Sequence, residues 1–189
     1  DLYIALPGLH VDGRSFIEVA IAQGAVAVLA EAEGLDDCLL VQHSPYVLPI
    51  KKLAEKVSAI AACFYDGPSQ KVHVTAVTGT NGKSTVTQLL AQINTQLSMK
   101  SAVIGTLGYG ATDALKTTAH TTPTAIEVQR ILADLVTNDF SCVALEASSH
   151  GLAQDRIADV DVDVAVFTNL SQDHLDYHET IQAYFDAKK

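Results

Sequence analysis

One stretch limits what this chain can become. Residues 72–78, Val-His-Val-Thr-Ala-Val-Thr, form a β-branched run that predicts a buried strand. Gly79-Thr80-Asn81-Gly82-Lys83-Ser84-Thr85 follows, and then Val86, Leu89, Leu90, Ile93 and Leu97 recur at helical spacing. Strand, glycine loop and helix in that order make a phosphate-binding loop. The glycines let backbone approach the phosphates, and N–H groups at the helix start point at the anion. Lys83 adds a cation near the β- and γ-phosphates, and the Ser84 hydroxyl is placed to bind Mg²⁺. The pattern departs from G-x-x-x-x-G-K-[ST] at one position, where Val77 replaces the first glycine.

The 189 residues suit one large or two small domains, and 48% hydrophobic against 18% charged residues is a composition able to bury a core. A net charge of −10 argues against nucleic acid or an anionic membrane as the main partner, but not against a nucleotide, which needs only local positive groups. Cys38, Cys63 and Cys142 lie far apart in apolar runs, so buried free thiols in a reducing compartment are expected. No apolar run reaches transmembrane length, and no signal peptide opens the chain. Asp1 leads straight into a strand-like segment and Ala187-Lys188-Lys189 falls inside a helical pattern, so truncation at both ends is expected.

Along the chain, residues 2–6 predict a strand ended by Pro7-Gly8. Ser15 is placed to cap a helix over 16–23, with Glu18 completing a capping box, and Gly24 to end it. Residues 25–30 and 38–41 read as strands, and Leu53, Val57, Ile60, Ala61 and Phe64 as one face of a helix near 47–64. Asp66-Gly67-Pro68-Ser69 is the linker candidate and sets domains at 1–67 and 68–189. Beyond the loop helix, 101–105 predicts a strand, and the glycine- and threonine-rich 105–122 holds one possible hairpin. Pro123 suits the first turn of a helix whose apolar face is Val128, Ile131, Leu132, Leu135 and Val136. Residues 142–145 and 162–168 are nearly all apolar, as buried parallel strands are, and a last helix begins near Thr180. The alternation predicts an α/β fold with a mainly parallel sheet.

In such sheets ligands gather at the carboxyl ends of strands. One strand delivers Glu146, a candidate Mg²⁺ ligand or water-holder, and then Ser148-Ser149-His150-Gly151. Another delivers Asn169 and Asp173-His174-Leu175-Asp176-Tyr177-His178, which lacks zinc spacing and reads equally as a site for Mg²⁺ or Mn²⁺ and as a polar loop. Arg156, two residues after Gln154, is able to bind a carboxylate or phosphate bidentately, though a lone loop arginine is more often only solvated. Thr121-Thr122-Pro123 offers hydroxyls to an anion, or a cap to a helix. By spacing alone Lys188 is an ordinary helix-surface lysine.

Taken together, Thr78–Thr85, Thr121-Thr122-Pro123, Glu146-Ala147-Ser148-Ser149-His150-Gly151-Leu152 and the run from Phe167 to His178 resemble the Mur ligases. The resemblance is to the branch that adds the third amino acid to UDP-MurNAc-L-Ala-D-Glu, and Ala5-Leu6-Pro7-Gly8 with Asp12-Gly13-Arg14 resembles its uridine-binding domain. It covers the whole chain and accounts for Val77, because this family's loop lacks the first glycine. It implies a cytoplasmic, monomeric, ATP- and Mg²⁺-dependent amide-forming ligase of peptidoglycan synthesis working through an acyl phosphate. The chain would hold most of the first domain and the front of the second, and a third domain would be missing.

The resemblance further implies that Gly79, Thr80, Asn81, Gly82, Lys83, Ser84 and Thr85 hold ATP phosphates. Glu146 and His174 match Mg²⁺ ligands beside Ser84, and Thr121, Thr122, Ser148, Gln154 and Arg156 match positions that bind the UDP-MurNAc-peptide. Leu9, His10 and Val11 align with a uridine-contacting segment, and Lys188 with a lysine that is carbamylated, a change that turns a cation into an anion able to bind Mg²⁺. His120 stands where the family often has Asn, and Ala147 where it has Val. The 189-residue piece is expected to be inactive alone. The rival readings are a relative such as folylpolyglutamate synthetase and a non-catalytic nucleotide-binding module. The third amino acid, diaminopimelate or lysine, is left open.

Overall fold

The computed structural model describes residues 1–8, 11–36 and 46–189. They form two compact units, Asp1–Val57 and Ser58–Lys189. The expected linker at Asp66–Ser69 falls just inside the second unit. Ser58 Oγ accepts a hydrogen bond from Asp159 N and Ser69 Oγ accepts one from Asp161 N, both at 3.0 Å, so a residue before the linker and the linker's last residue are tied to one loop.

The first unit carries a parallel sheet of β1 (Leu2–Ala5), β2 (Ala27–Glu31) and β3 (Val47–Ile50), in that order. Ala5, Ile17, Val28, Ala30 and Val47 make its core. The first helix is a 3₁₀ turn, Gly13–Phe16, running into an α-helix, Ile17–Ala22. Its cap is Asp12, not Ser15. The Asp12 carboxylate accepts from Arg14 N and pairs with the Arg14 guanidinium, whereas the Ser15 hydroxyl donates to Asp12 O. The helix expected over 47–64 is also corrected: its first part is β3, and the α-helix is only Val57–Phe64. Glu31 turns the chain out of β3 by accepting from Lys52 N at 3.1 Å and Leu53 N at 2.7 Å, and these bonds hold its carboxyl below the usual range. Leu9, His10 and the strand expected at 38–41 lie outside the described residues.

The second unit is built on a sheet in the order β6-β5-β7-β4-β8, with β4 His73–Thr78, β5 Ser101–Gly105, β6 Gly108–Gly110, β7 Cys142–Glu146 and β8 Val164–Phe167. All pairings are parallel except β5 with β6, the expected hairpin. β5 and β7 are buried throughout, but β8 pairs only with β4, and Val164 and Phe167 are 44% and 43% exposed. So the expectation of a strand buried on both faces holds for β7 and fails for β8.

On one face, helix Ala125–Thr137 packs Val128, Ile131, Leu132 and Leu135 against Val74, Ala102, Ile104, Val143 and Leu145. Full burial of each such side chain is worth about 1.5–3 kcal/mol. The helix starts from a capping box between Thr124 and Glu127, so Pro123 precedes the cap instead of filling the first turn. On the other face, helix Lys83–Gln96 buries the small residues Thr87 and Ala91, with Ala91 packed against Val103 and Ala144, leaving Leu89, Ile93 and Leu97 more than half exposed. Cys142 is buried as expected, whereas Cys63 is exposed. Among the described residues no helix is long and apolar enough to cross a membrane.

Candidate functional site

The phosphate loop leaves the carboxyl end of β4, between its neighbours β7 and β8. Val77 still belongs to β4 and is fully buried, paired with Glu146 and Val166, so the sharp turn begins only at Gly79. Gly79 has φ of +137°, and a Cβ there would stand 2.0 Å from Thr168 Oγ1. The turn after β8 grips the front of the loop. Thr80 N donates to Asn169 O at 2.9 Å, Asn81 N to Asn169 Oδ1 at 3.1 Å, and Thr168 Oγ1 to Asn81 O at 2.7 Å. The back of the loop opens helix Lys83–Gln96, whose first-turn N–H groups have no intrahelical acceptor. Lys83 Nζ folds over the loop onto the carbonyls of Gly79 and Thr80, both at 2.9 Å.

Glu146 ends β7 at the centre of this arrangement and is 2% exposed. Ser84 Oγ donates to its Oε2 at 3.0 Å, and Thr106 gives its N–H to Oε1 at 3.0 Å and approaches Oε2 with its hydroxyl at 3.1 Å. Such charge-assisted bonds are about twice as strong as neutral ones. Space for the carboxylate is made by Gly105, where a Cβ would meet Glu146 Oε1 at 2.1 Å. Thr106 Oγ1 also lies 3.0 Å from Thr121 Oγ1. A cleft of about 290 Å³ results, lined by Thr80–Thr85, Thr106, Thr121, Glu146, Ser148 and His174. Its hard oxygen donors, the Ser84 hydroxyl and the Glu146 carboxylate, fit Mg²⁺. Among the described residues no group of three or more His, Cys, Asp and Glu is arranged to hold a metal.

A second hollow, of about 350 Å³, shares Thr121, Ser148 and His174 with the first and adds His120, Thr122, His150 and Arg156. Thr122 is fully buried, and its hydroxyl bonds Glu146 O at 2.7 Å and Ser148 N at 2.9 Å, fixing the loop after β7. Arg156 donates to Thr122 O at 2.6 Å and, through Nε and a terminal nitrogen, to Gln154 Oε1 at 3.0 and 2.6 Å. His150 packs against His174 and Tyr177, with ring centroids 4.8 and 4.3 Å away. Burial first, and then the neighbouring His174, push the His150 pKa down, favouring a neutral ring.

The remaining expected residues fall elsewhere. Val11 is 57% exposed in the first unit. Lys188 is not the surface lysine its spacing suggests, being 7% exposed. Its Nζ donates to Gly79 O at 3.1 Å and Thr78 Oγ1 at 3.4 Å and lies 4.6 Å from the Tyr184 ring centroid. It does not line the cleft. Burial, and then the charge of Lys83, lower its pKa to about 8. Two contributors escaped the sequence reading. Thr106 is the first polar residue after β5, so the strand-end rule that selected Glu146 selects it too. Tyr184 bonds to Thr80 Oγ1 across 104 residues and left no local signal.

The Mur ligase middle domain matches residues 77–189, and the Mur ligase family catalytic domain matches residues 1–65. The chain belongs to the Mur ligase family. It is 50% identical over 188 residues to a UDP-N-acetylmuramoyl-L-alanyl-D-glutamate–2,6-diaminopimelate ligase of Ectopseudomonas mendocina strain ymp, covering all of this chain and 38% of that protein. The Mur ligase of the same name from Pseudomonas aeruginosa PAO1 is 47% identical over 188 residues, with the same coverage. A solved structure of a ligase so named superposes with a TM-score of 0.81 at 35% identity, over all of this chain and 37% of that one. The chain thus spans about two fifths of the length of the curated relatives it matches.

Proposed function

We propose that this chain is part of an ATP-dependent ligase that joins 2,6-diaminopimelate to UDP-MurNAc-L-Ala-D-Glu in the cytoplasm, as a monomer. The observation that carries the reading is the single cleft in which Lys83 and Ser84 of the phosphate loop meet Glu146, Thr121, Ser148 and His174. The relatives' names support diaminopimelate over lysine as the third amino acid. They also favour this reading over folylpolyglutamate synthesis and over a module without catalysis. Residues 1–67 would bind the uridine nucleotide, with Leu9, His10 and Val11 in contact, and 68–189 the ATP.

A carboxylate is a poor electrophile, and transfer of the γ-phosphoryl group gives it a leaving group. The protein's work is then positioning and charge neutralisation. The N–H groups at the start of helix Lys83–Gln96 cradle the phosphates, and Lys83 swings from the Gly79 and Thr80 carbonyls to the transferred phosphoryl group. Thr121, Thr122, Ser148 and Arg156 of the second hollow, with Gln154 bonded to Arg156, orient the UDP-MurNAc-peptide so that its carboxylate faces that group, and the incoming amine then displaces phosphate. Ser84, Glu146 and His174 would hold Mg²⁺, which supplies charge neutralisation across the phosphates when bound. Lys188, buried beside the loop, is the residue to be carbamylated.

The test is phosphate release by a full-length protein carrying this segment. Release that requires both UDP-MurNAc-L-Ala-D-Glu and diaminopimelate, and is abolished by Lys83→Ala, is expected. Release indifferent to the peptide, or supported equally by a folate substrate, would overturn the reading.

A further inference from the structure

Tyr184 is the largest fully buried side chain of the described residues, at 1% exposure in helix Ile181–Asp186. A phenylalanine would fill the same space, and a hydroxyl costs free energy to bury unless it is bonded. The Tyr184 hydroxyl donates at 3.1 Å to Thr80 Oγ1 in the phosphate loop. That oxygen also accepts from Ser171 N at 3.0 Å and donates to Ser171 O at 3.1 Å. A threonine hydroxyl has one proton and two lone pairs, so these three bonds saturate it. The Thr80 N–H is committed to Asn169 O, and the Asn81 N–H to Asn169 Oδ1. The front half of the loop therefore has neither its hydroxyl nor these two N–H groups left for a phosphate.

We propose that Tyr184 is a positioning residue for nucleotide binding. It locks Thr80 against the turn at Asn169–Ser171, so that Thr80 shapes the loop while residues 82–85 carry the phosphates. The inference rests on the ATP-binding reading of the loop. The Tyr184 ring lies 5.3 Å from the His178 ring and 4.6 Å from the Lys188 ammonium and is buried, so packing holds it in place and Tyr184→Phe keeps that packing.

The experiment is ADP binding by calorimetry, with steady-state kinetics, on a full-length protein carrying this segment. Wild-type binding of ADP is measured first, because its absence would refute the ATP-binding reading itself. Tyr184→Phe is expected to weaken ADP about three- to tenfold, the loss of one neutral hydrogen bond. KM for ATP should rise with it, while KM for the UDP-MurNAc-peptide and kcat stay unchanged. Thr80→Val removes the Tyr184 bond together with the two to Ser171, so it should cost at least as much, and the double variant little more than Thr80→Val alone, because the Tyr184 bond is already gone. ADP affinity unchanged in Tyr184→Phe, equal losses for both substrates, or losses that multiply in the double variant would overturn the proposal.

Discussion

Gly105→Ala tests how the central carboxylate is held. Nothing about the Gly105 backbone requires glycine, since its φ is not in the left-handed region. The side chain of Glu146 does: the three atoms nearest a new Cβ would be its Oε1, Cδ and Cγ, at 2.1, 2.6 and 2.7 Å. Glu146 must then move and give up its bonds to Thr106 and Ser84. Forcing a methyl into a packed site costs about 1–3 kcal/mol, and each bond lost by a buried charged group about 1.5–3 kcal/mol. With part of this regained by relaxation, a net loss of about 3–5 kcal/mol is expected. In a Glu146→Ala background the three clashing atoms are gone. There the same substitution should be neutral, or stabilise by about 0.4–1 kcal/mol through the unfolded chain. Urea unfolding of the four proteins of this double-mutant cycle reads the coupling directly. Equal destabilisation by Gly105→Ala in both backgrounds would refute the claim that Glu146 demands the glycine.

Three further outcomes follow from the same geometry. Arg156→Lys replaces a planar fork bonded to Thr122 O and Gln154 Oε1 with a point charge, so KM for the UDP-MurNAc-peptide should rise about tenfold in steady-state assays while KM for ATP holds. Thr124→Ala removes the capping box and should lower stability by about 1 kcal/mol in urea unfolding. Carbamylation needs a neutral amine. With a pKa near 8, about a quarter of Lys188 is neutral at pH 7.5, against about one part in a thousand for an ordinary lysine. The mass gain of one carbon dioxide in bicarbonate should therefore increase as pH rises through 8, and be lost in Lys188→Arg.

What the sequence made legible was local. The loop announced itself because its strand, glycines, lysine and helix are contiguous, and Glu146 because it ends an apolar run. The burial pattern of the loop helix was not legible in that way. Its leucine and isoleucine stripe marks a helix, yet Thr87 and Ala91 pack because small side chains let it lie close to β5 and β7. Asp12 outcompetes Ser15 as a cap because its carboxylate also pairs with Arg14. The burial of Lys188 and the Tyr184–Thr80 bond arise from contacts about a hundred residues apart, which no periodicity carries.

The central claim is that this cleft activates a substrate carboxylate by phosphorylation. The direct measurement uses UDP-MurNAc-L-Ala-D-Glu carrying heavy oxygen in the reacting carboxylate, turned over with ATP and diaminopimelate by a full-length protein carrying this segment. The account predicts one labelled oxygen in each phosphate released, because the carboxylate oxygen leaves with the phosphoryl group. Unlabelled phosphate would mean that water, not the carboxylate, takes the phosphoryl group, and would contradict it.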